Sequence, residues 1–265
     1  MSESTENPVL TEQQGSVLHV TLNRPQVKNA MNAAMVDGLI AAFESAAADD
    51  GIRALVLRGA GGTFSAGGDL KGMGTDSKAA ITKGNRRFGE MLEVAQAFPK
   101  VLIAVLEGAA LGGGFGLACV ADVAIASETC RFGMPEVTVG LIPAQIAPFV
   151  LARIGLTATR RLALTGAMID GRDAHTLGLV HHVEADTEAV EARLAATLQQ
   201  LKKAAPGANR VTKQLLMELS PGVTARALDH AAELFTEALT GPEGYEGTTA
   251  FREKRPPAWA REDTP

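Results

Sequence analysis

Apolar residues recur along the chain in two rhythms. Val17-Leu-His-Val-Thr-Leu22 alternates and reads as a half-buried strand closed by Asn23-Arg-Pro25. Met35, Val36, Leu39, Ile40 and Phe43 then fall at helical spacing behind Asn32, whose side chain suits an N-cap. Ala54-Leu-Val-Leu57 and Val101-Leu-Ile-Ala-Val-Leu106 are short continuous apolar runs, the signature of strands buried on both faces. Between them the pattern predicts a loop over 71–84 and a helix carrying Phe88, Met91, Leu92 and Ala95 that stops before Pro99. A short strand is expected over 123–126, and helices over 144–165 and 186–203. From about 208 onward the spacing of Val211, Leu215, Leu216, Leu219, Leu228, Leu234, Phe235 and Leu239 is wholly helical. Strands alternating with helices indicate an α/β chain with parallel strands, and the helical tail has an apolar face that needs a partner, in its own chain or in another.

Two places break this rhythm in the same way. Strand 101–106 runs into Glu107-Gly-Ala-Ala-Leu-Gly-Gly-Gly-Phe-Gly-Leu117, and strand 54–57 runs into Arg-Gly-Ala-Gly-Gly and then Thr63-Phe-Ser-Ala-Gly-Gly-Asp-Leu70. Each goes from buried strand to a turn of small residues and then toward a helix. Glycine admits backbone angles and close approaches that side chains forbid. Free amides at a helix start can point at an anionic oxygen, so two such turns could supply one amide each to the same oxygen. The competing reading is a pair of glycine-rich turns that only let strand and helix pack closely.

Size and charge narrow the classes. At 265 residues the chain is long enough for one sizeable domain or a domain with an appendage. Its residues are 46% hydrophobic and 21% charged, which is ordinary for a soluble globular protein. Aromatics make up 4%, which argues against stacking platforms for single-stranded nucleic acid. The formal net charge is −5, and no long Lys/Arg run occurs, so nucleic acid is not expected as a partner. No apolar run reaches membrane-spanning length, and Met-Ser-Glu-Ser-Thr-Glu-Asn-Pro matches neither a secretory signal nor a transit peptide. A cytoplasmic location is expected. Cys119 and Cys130 lack metal-ligand spacing and read as buried thiols.

Few side chains suggest chemistry. Glu136 follows a proline among apolar neighbours in Arg131-Phe-Gly-Met-Pro-Glu-Val-Thr-Val-Gly-Leu-Ile-Pro143. A carboxylate so placed could have a raised pKa and act as acid or base, or could simply satisfy backbone amides at a helix start. Ser65 lacks the flanks of a nucleophile elbow. His19, His175, His181, His182 and His230 are scattered, and the adjacent pair reads as solvated rather than metal-binding. Asp69 and Asp122 read as caps. The glycine run lacks the lysine of a phosphate-binding loop and the spacing of a dinucleotide fingerprint. No metal or redox cofactor is expected.

Assembled, these motifs resemble the enoyl-CoA hydratase/isomerase (crotonase) family. The matching pieces are Leu22-Asn-Arg-Pro25, Asn29-Ala-Met-Asn32, Phe64-Ser-Ala-Gly-Gly-Asp-Leu70, Ala110-Leu-Gly-Gly-Gly114, Phe132-Gly-Met-Pro-Glu136, Gly140-Leu-Ile-Pro143, Leu164-Thr-Gly166, Gly178-Leu-Val180 and Phe251-Arg-Glu-Lys-Arg-Pro256. They occur in the family's order and cover almost the whole chain. The resemblance implies a crotonase-like spiral of ββα repeats over 1–205, holding the oxyanion hole and an acyl-CoA site. It also implies a C-terminal helical oligomerisation region over 206–265, giving a homotrimer or a hexamer built from two trimers. Coenzyme A would be part of the substrate, not a separate cofactor.

Residue by residue, the resemblance assigns the oxyanion amides to Ala66 and Gly113 and the acid/base to Glu136. It assigns the CoA moiety to Lys28, Ala66, Gly68, Asp69 and Leu70, with Phe251 and Lys254 at its nucleotide end. Gly116, Met134 and Leu141 would line the acyl pocket. Gly116 departs from the two-glutamate hydratases, which carry their second carboxylate at this position. Its lack of a side chain is expected to leave room beside the β-carbon of the substrate. The chain is similar to the enzymes that hydrate 3-branched glutaconyl-CoA thioesters, at Gly-Gly-Gly-Phe-Gly116, at Val139-Gly-Leu-Ile-Pro-Ala-Gln-Ile-Ala-Pro-Phe-Val150 and at Ala250-Phe-Arg-Glu-Lys-Arg-Pro-Pro-Ala-Trp259. That implies isohexenylglutaconyl-CoA, from acyclic terpene breakdown, or 3-methylglutaconyl-CoA, from leucine breakdown, with a slight lean to the first. A Δ3,Δ2-enoyl-CoA isomerase using Glu136 alone is the alternative, and a non-catalytic acyl-CoA-binding subunit the third.

Overall fold

The computed structural model describes residues 7–71, 77–202, 204, 206–219, 225–255 and 257. Buried apolar strands place the centre of the molecule. Strands β1 (Val9–Gln14), β2 (Val17–Leu22), β3 (Ala54–Gly59), β4 (Val101–Leu106), β6 (Val123–Ser127) and β9 (His182–Glu184) form one sheet in that spatial order. All neighbours pair in parallel except β1, which is antiparallel to β2 at the edge. The three middle strands β3, β4 and β6 are almost wholly buried, as their unbroken apolar runs require. β1 was not read from the sequence because its Thr-Glu-Gln-Gln stretch is exposed on both faces.

A second sheet joins β5 (Ala109–Leu111), β7 (Arg131–Gly133) and β8 (Met168–Ile169). Two or three residues carry too little pattern to predict a strand. Yet β4 with β5 and β6 with β7 give the successive strand pairs of the spiral, and the triple-glycine turn and the turn Pro135–Val139 follow β5 and β7.

Helices fill the spaces between these turns. α1 (Ala33–Ala48) starts where Asn32 accepts a hydrogen bond from the Met35 amide at 3.0 Å, and it buries the five apolar positions that its spacing singled out. α2 (Lys78–Ala97) begins with Ser77 as N-cap, so the helix extends into the expected loop 71–84, of which residues 72–76 lie outside the described set. α3 (Gly113–Val120) is buried along its whole length. α4 (Ala147–Thr165), α5 (Gly171–Thr176) and α6 (Thr187–Lys202) complete the core.

The tail forms α7 (Pro206–Leu219), α8 (Ala225–Thr240) and α9 (Pro242–Arg252). Of its apolar positions, Leu215, Leu219, Leu228 and Leu234 lie outside the described side chains. The helix α8 packs on α2 of its own chain: Thr82 and Thr236 hydroxyls meet at 2.6 Å, and Arg86 pairs with Asp229 at 2.8 Å. A separate apolar cluster of Ile81, Leu141, Phe235 and Leu239 seals this contact. Both cysteines are buried, and burial pushes their thiols up in pKa. His181 belongs to the fold: its Nδ1 accepts from the Ala124 amide at 2.9 Å, and burial lowers its pKa to about 4.

Candidate active site

Three backbone turns and one carboxylate converge beyond β3, β5 and β7. The first turn leaves Phe64 and passes through Ser65, Ala66, Gly67 and Gly68. It is held from the segment Lys28–Met31, where Lys28 and Asn29 adopt left-handed backbone angles (φ 51° and 55°). Asn29 is fully buried, and its side-chain amide donates to the carbonyls of Ala60 (2.9 Å) and Thr63 (2.6 Å). Ser65 donates to the Asn29 carbonyl at 2.8 Å and accepts from the Gly67 amide at 3.1 Å. Ser65 is therefore a turn residue.

This framework corrects one expectation. The Ala66 amide donates to the Lys28 carbonyl at 2.9 Å and cannot serve an oxyanion. With the Gly67 amide also engaged, the next one, that of Gly68, has no acceptor among the described residues, and Gly68 is exposed. The amide left without an acceptor on this turn is thus two residues further along than the motif suggested. The pairing that decides it joins positions far apart in the chain, which local pattern does not show.

The second turn is the triple glycine. Gly112 sits at φ 47°, a backbone that side chains rarely adopt, and its amide donates to the Gly133 carbonyl at 3.0 Å. The first hydrogen bond within α3 runs from the Gly116 amide to the Gly112 carbonyl at 3.0 Å. Among the described residues, the amides of Gly113, Gly114 and Phe115 have no acceptor and are the free donors of a helix start. Gly113 lies where the motif placed it, with an unengaged amide.

The third turn is the 3-10 helix Pro135–Val139, which carries Glu136 in its first turn. A Cβ built on Gly112 would stand 2.9 Å from Glu136 Oε1 and 3.6 Å from Gly67 Cα, so both glycine turns and the carboxylate share one small space. Glu136 Oε2 is buried and, among the described residues, has no hydrogen-bond partner. Burial raises the Glu136 pKa to about 7, opposed only by a hydrogen bond from its own backbone amide. No charged side chain contributes, so no second carboxylate is coupled to it. A carboxyl poised near neutrality beside free amides can accept a proton and return it.

The remaining predicted positions divide. Asp69 pairs with Arg24 at 2.8 Å and accepts from the Lys71 amide at 3.1 Å, which fastens the first turn. Lys28 is exposed beside it, and Leu70 packs against the α2–α8 cluster. Phe251 and Lys254 are exposed at the end of α9, far along the chain from either turn. Met134 is wholly buried in the main core, and Leu141 is buried beneath Phe235 and Leu239.

Gly116 is a second correction. A Cβ there would lie 2.7 Å from Ile146 Cγ2 and 3.3 Å from Leu92 Cδ1. The space expected beside it is filled by these two side chains. Phe88, which the sequence placed only on a helix, reaches the site: its Cζ would be 2.6 Å from a Cβ on Gly113, with Met31 Cε at 3.6 Å. Phe88, Leu92 and Ile146 thus form an apolar wall along α3. Among the described residues, no group of three or more His, Cys, Asp or Glu side chains could hold a metal ion.

The chain resembles known proteins over almost its whole length. The family model described as enoyl-CoA hydratase/isomerase matches residues 12–262. A 2,3-dehydroadipyl-CoA hydratase of Escherichia coli K12 is 34% identical over 250 residues, covering 94% of this chain and 97% of that protein. Among solved structures, Pseudomonas aeruginosa AtuE superposes with a TM-score of 0.79 at 54% identity, over 96% of this chain and all of that one. An enoyl-CoA hydratase/isomerase from Marinobacter aquaeolei gives 0.78 at 49% identity, over 96% of this chain and 99% of that one.

Proposed function

Because the chain belongs to the enoyl-CoA hydratase/isomerase family and is a hydratase-type lyase acting on an acyl-CoA, we propose that its substrate is a 3-branched glutaconyl-CoA. In this reading the thioester oxygen lies between the Gly68 and Gly113 amides. Each such donor is worth roughly 10²–10³ in rate, because it binds the charge that develops on that oxygen. Electron density drawn toward the thioester makes C3 electrophilic. Glu136, ionised, takes a proton from the attacking water as its oxygen bonds to C3. The same carboxyl then delivers that proton to C2, which closes the cycle with one group.

The observation that carries this reading is the buried, unpartnered Oε2 of Glu136, whose pKa of about 7 suits both steps. The similarity to glutaconyl-CoA hydratases at 139–150 supports the substrate, as does a relative named for another dicarboxylic acyl thioester. With the space at Gly116 filled by Ile146 and Leu92, the branch lies elsewhere, along the half-buried Phe88 beside Gly113. An isohexenyl branch is slightly favoured over methyl. Lys28, Phe251 and Lys254 are exposed and free to meet the CoA moiety. Exposed Leu151, Leu156 and Leu164 on α4 suit a trimer or hexamer. The test is steady-state turnover of the wild type and Glu136→Gln with isohexenylglutaconyl-CoA, 3-methylglutaconyl-CoA and crotonyl-CoA. The reading requires hydration of a branched substrate that the substitution abolishes.

One observation favours a second reading. Glu136 has no coupled carboxylate, and a single proton shuttle suffices for a Δ3,Δ2-enoyl-CoA isomerase. A double-bond shift without incorporation of water would select it.

A further inference from the structure

The turn that carries Glu136 is held between two helices by glycines. On one side Gly166, the C-cap of α4 at φ 63°, approaches so closely that a Cβ there would stand 2.6 Å from Thr138 Cγ2. On the other side α9 lies across the end of the turn. A Cβ on Gly247, in the middle of α9, would overlap the Val139 carbonyl and stand 2.7 Å from Val139 Cα. These are backbone atoms, so no rotamer change can relieve the overlap. Gly247 is buried, and so are its neighbours Thr248 and Ala250. Glycine in a helix interior costs roughly 1 kcal/mol against alanine. In this position it permits a backbone contact that no other residue allows.

We propose that Gly247 is a positioning residue for Glu136: the missing side chain lets the C-terminal helix rest directly on the backbone of the Pro135–Val139 turn, which fixes the carboxyl against Gly112 and keeps water from it. This rests on the reading of Glu136 as the group that moves the proton. Beyond Val139 the chain leaves through Gly140, in the left-handed region, and the Leu141 amide returns to the Glu136 carbonyl at 3.0 Å. Val139 and Leu141 also meet the α8 cluster of Phe235 and Leu239. Charged groups occur on the packed helices (Arg160 and Arg161 on α4, Glu233 and Glu237 on α8, Glu246 and Arg252 on α9), and none of them acts on Glu136. Its proton affinity is set by burial, and burial depends on how α9 sits.

The experiment compares the pH dependence of kcat in the wild type, Glu136→Gln and Gly247→Ala with whichever acyl-CoA the wild type hydrates. Displacing the turn by about 1 Å is expected to cost about 10² in kcat, with KM changed less than about threefold. The acidic limb of kcat, near pH 7 in the wild type, is expected to move down by about one pH unit or more as water reaches the carboxyl. A limb that stays at its wild-type position, whatever the loss in kcat, overturns the proposal. Full activity in Glu136→Gln would instead defeat the reading on which it rests. If Gly247→Ala does not fold, Ala250→Val replaces it, since Ala250 is wholly buried one turn further along α9 and a larger side chain there changes how that helix sits. In that variant, ¹³C-NMR titration of the Glu136 carboxyl reads the pKa without turnover: a lowered value supports the proposal, and an unchanged one overturns it.

Discussion

Gly112 and Glu136 define the site between them: Oε1 of the glutamate stands 2.9 Å from where a Cβ on the glycine would be. The carboxyl can reach the space before the helix amides only because position 112 has no side chain. Gly112→Ala would push it away and also strain a backbone at φ 47°. The expected result is a loss of about 10² in kcat, read by steady-state kinetics, beside a fall in melting temperature.

Gly68 should matter for its amide alone. Gly68→Pro removes that donor, and a loss of roughly 10²–10³ in kcat is expected. Gly68→Ala keeps the amide and should stay within about tenfold of the wild type. Equal losses in the two variants would show that the donor lies elsewhere.

Glu136 links activity to stability through pH. Its pKa is raised in the fold from 4.5 to about 7, so the folded protein holds a proton that the unfolded chain releases between these values. Stability attributable to the neutral carboxyl is complete below about pH 4.5 and declines as pH rises to about 7. At one pH unit per 1.36 kcal/mol, the decline is roughly 3 kcal/mol. Denaturant unfolding of Glu136→Gln, which has no such proton, should show the variant gaining on the wild type across this window. Parallel stability curves would contradict the burial of the carboxyl.

These sites show where local pattern suffices and where it stops. Asn32 and the apolar positions of α1 follow one another at steps of four residues or fewer along the chain, so cap and helix were legible. So were the two glycine turns, because each needs only its own neighbours, whereas the neighbours of Glu136 left its role open and the resemblance assigned it. The exhaustion of the Ala66 amide was not, since its acceptor Lys28 lies on another segment held by buried Asn29. Nor was the filling of the space at Gly116, because Ile146 comes from a later turn of the spiral. A missing side chain in the sequence is not a cavity until the rest of the chain has been placed.

That correction yields its own test. Gly116→Glu alone should not restore a two-carboxylate hydratase, because the new side chain meets Ile146 and Leu92. Overpacking of this kind costs roughly 1–3 kcal/mol. Adding Ile146→Gly opens the space, and the double variant is expected to hydrate crotonyl-CoA at least about tenfold faster than either single variant. No gain in the double variant would mean that position 116 does not face the reacting carbons.

The central claim is that one carboxyl, Glu136, adds water to a branched glutaconyl thioester. The most direct measurement is turnover of isohexenylglutaconyl-CoA and 3-methylglutaconyl-CoA in ¹⁸O-water by the wild type and Glu136→Gln, with product mass read for label. One ¹⁸O is expected in the product of a branched substrate with the wild type, and none above background with the variant. A rearranged product without label, or label gained equally by the variant, would contradict it.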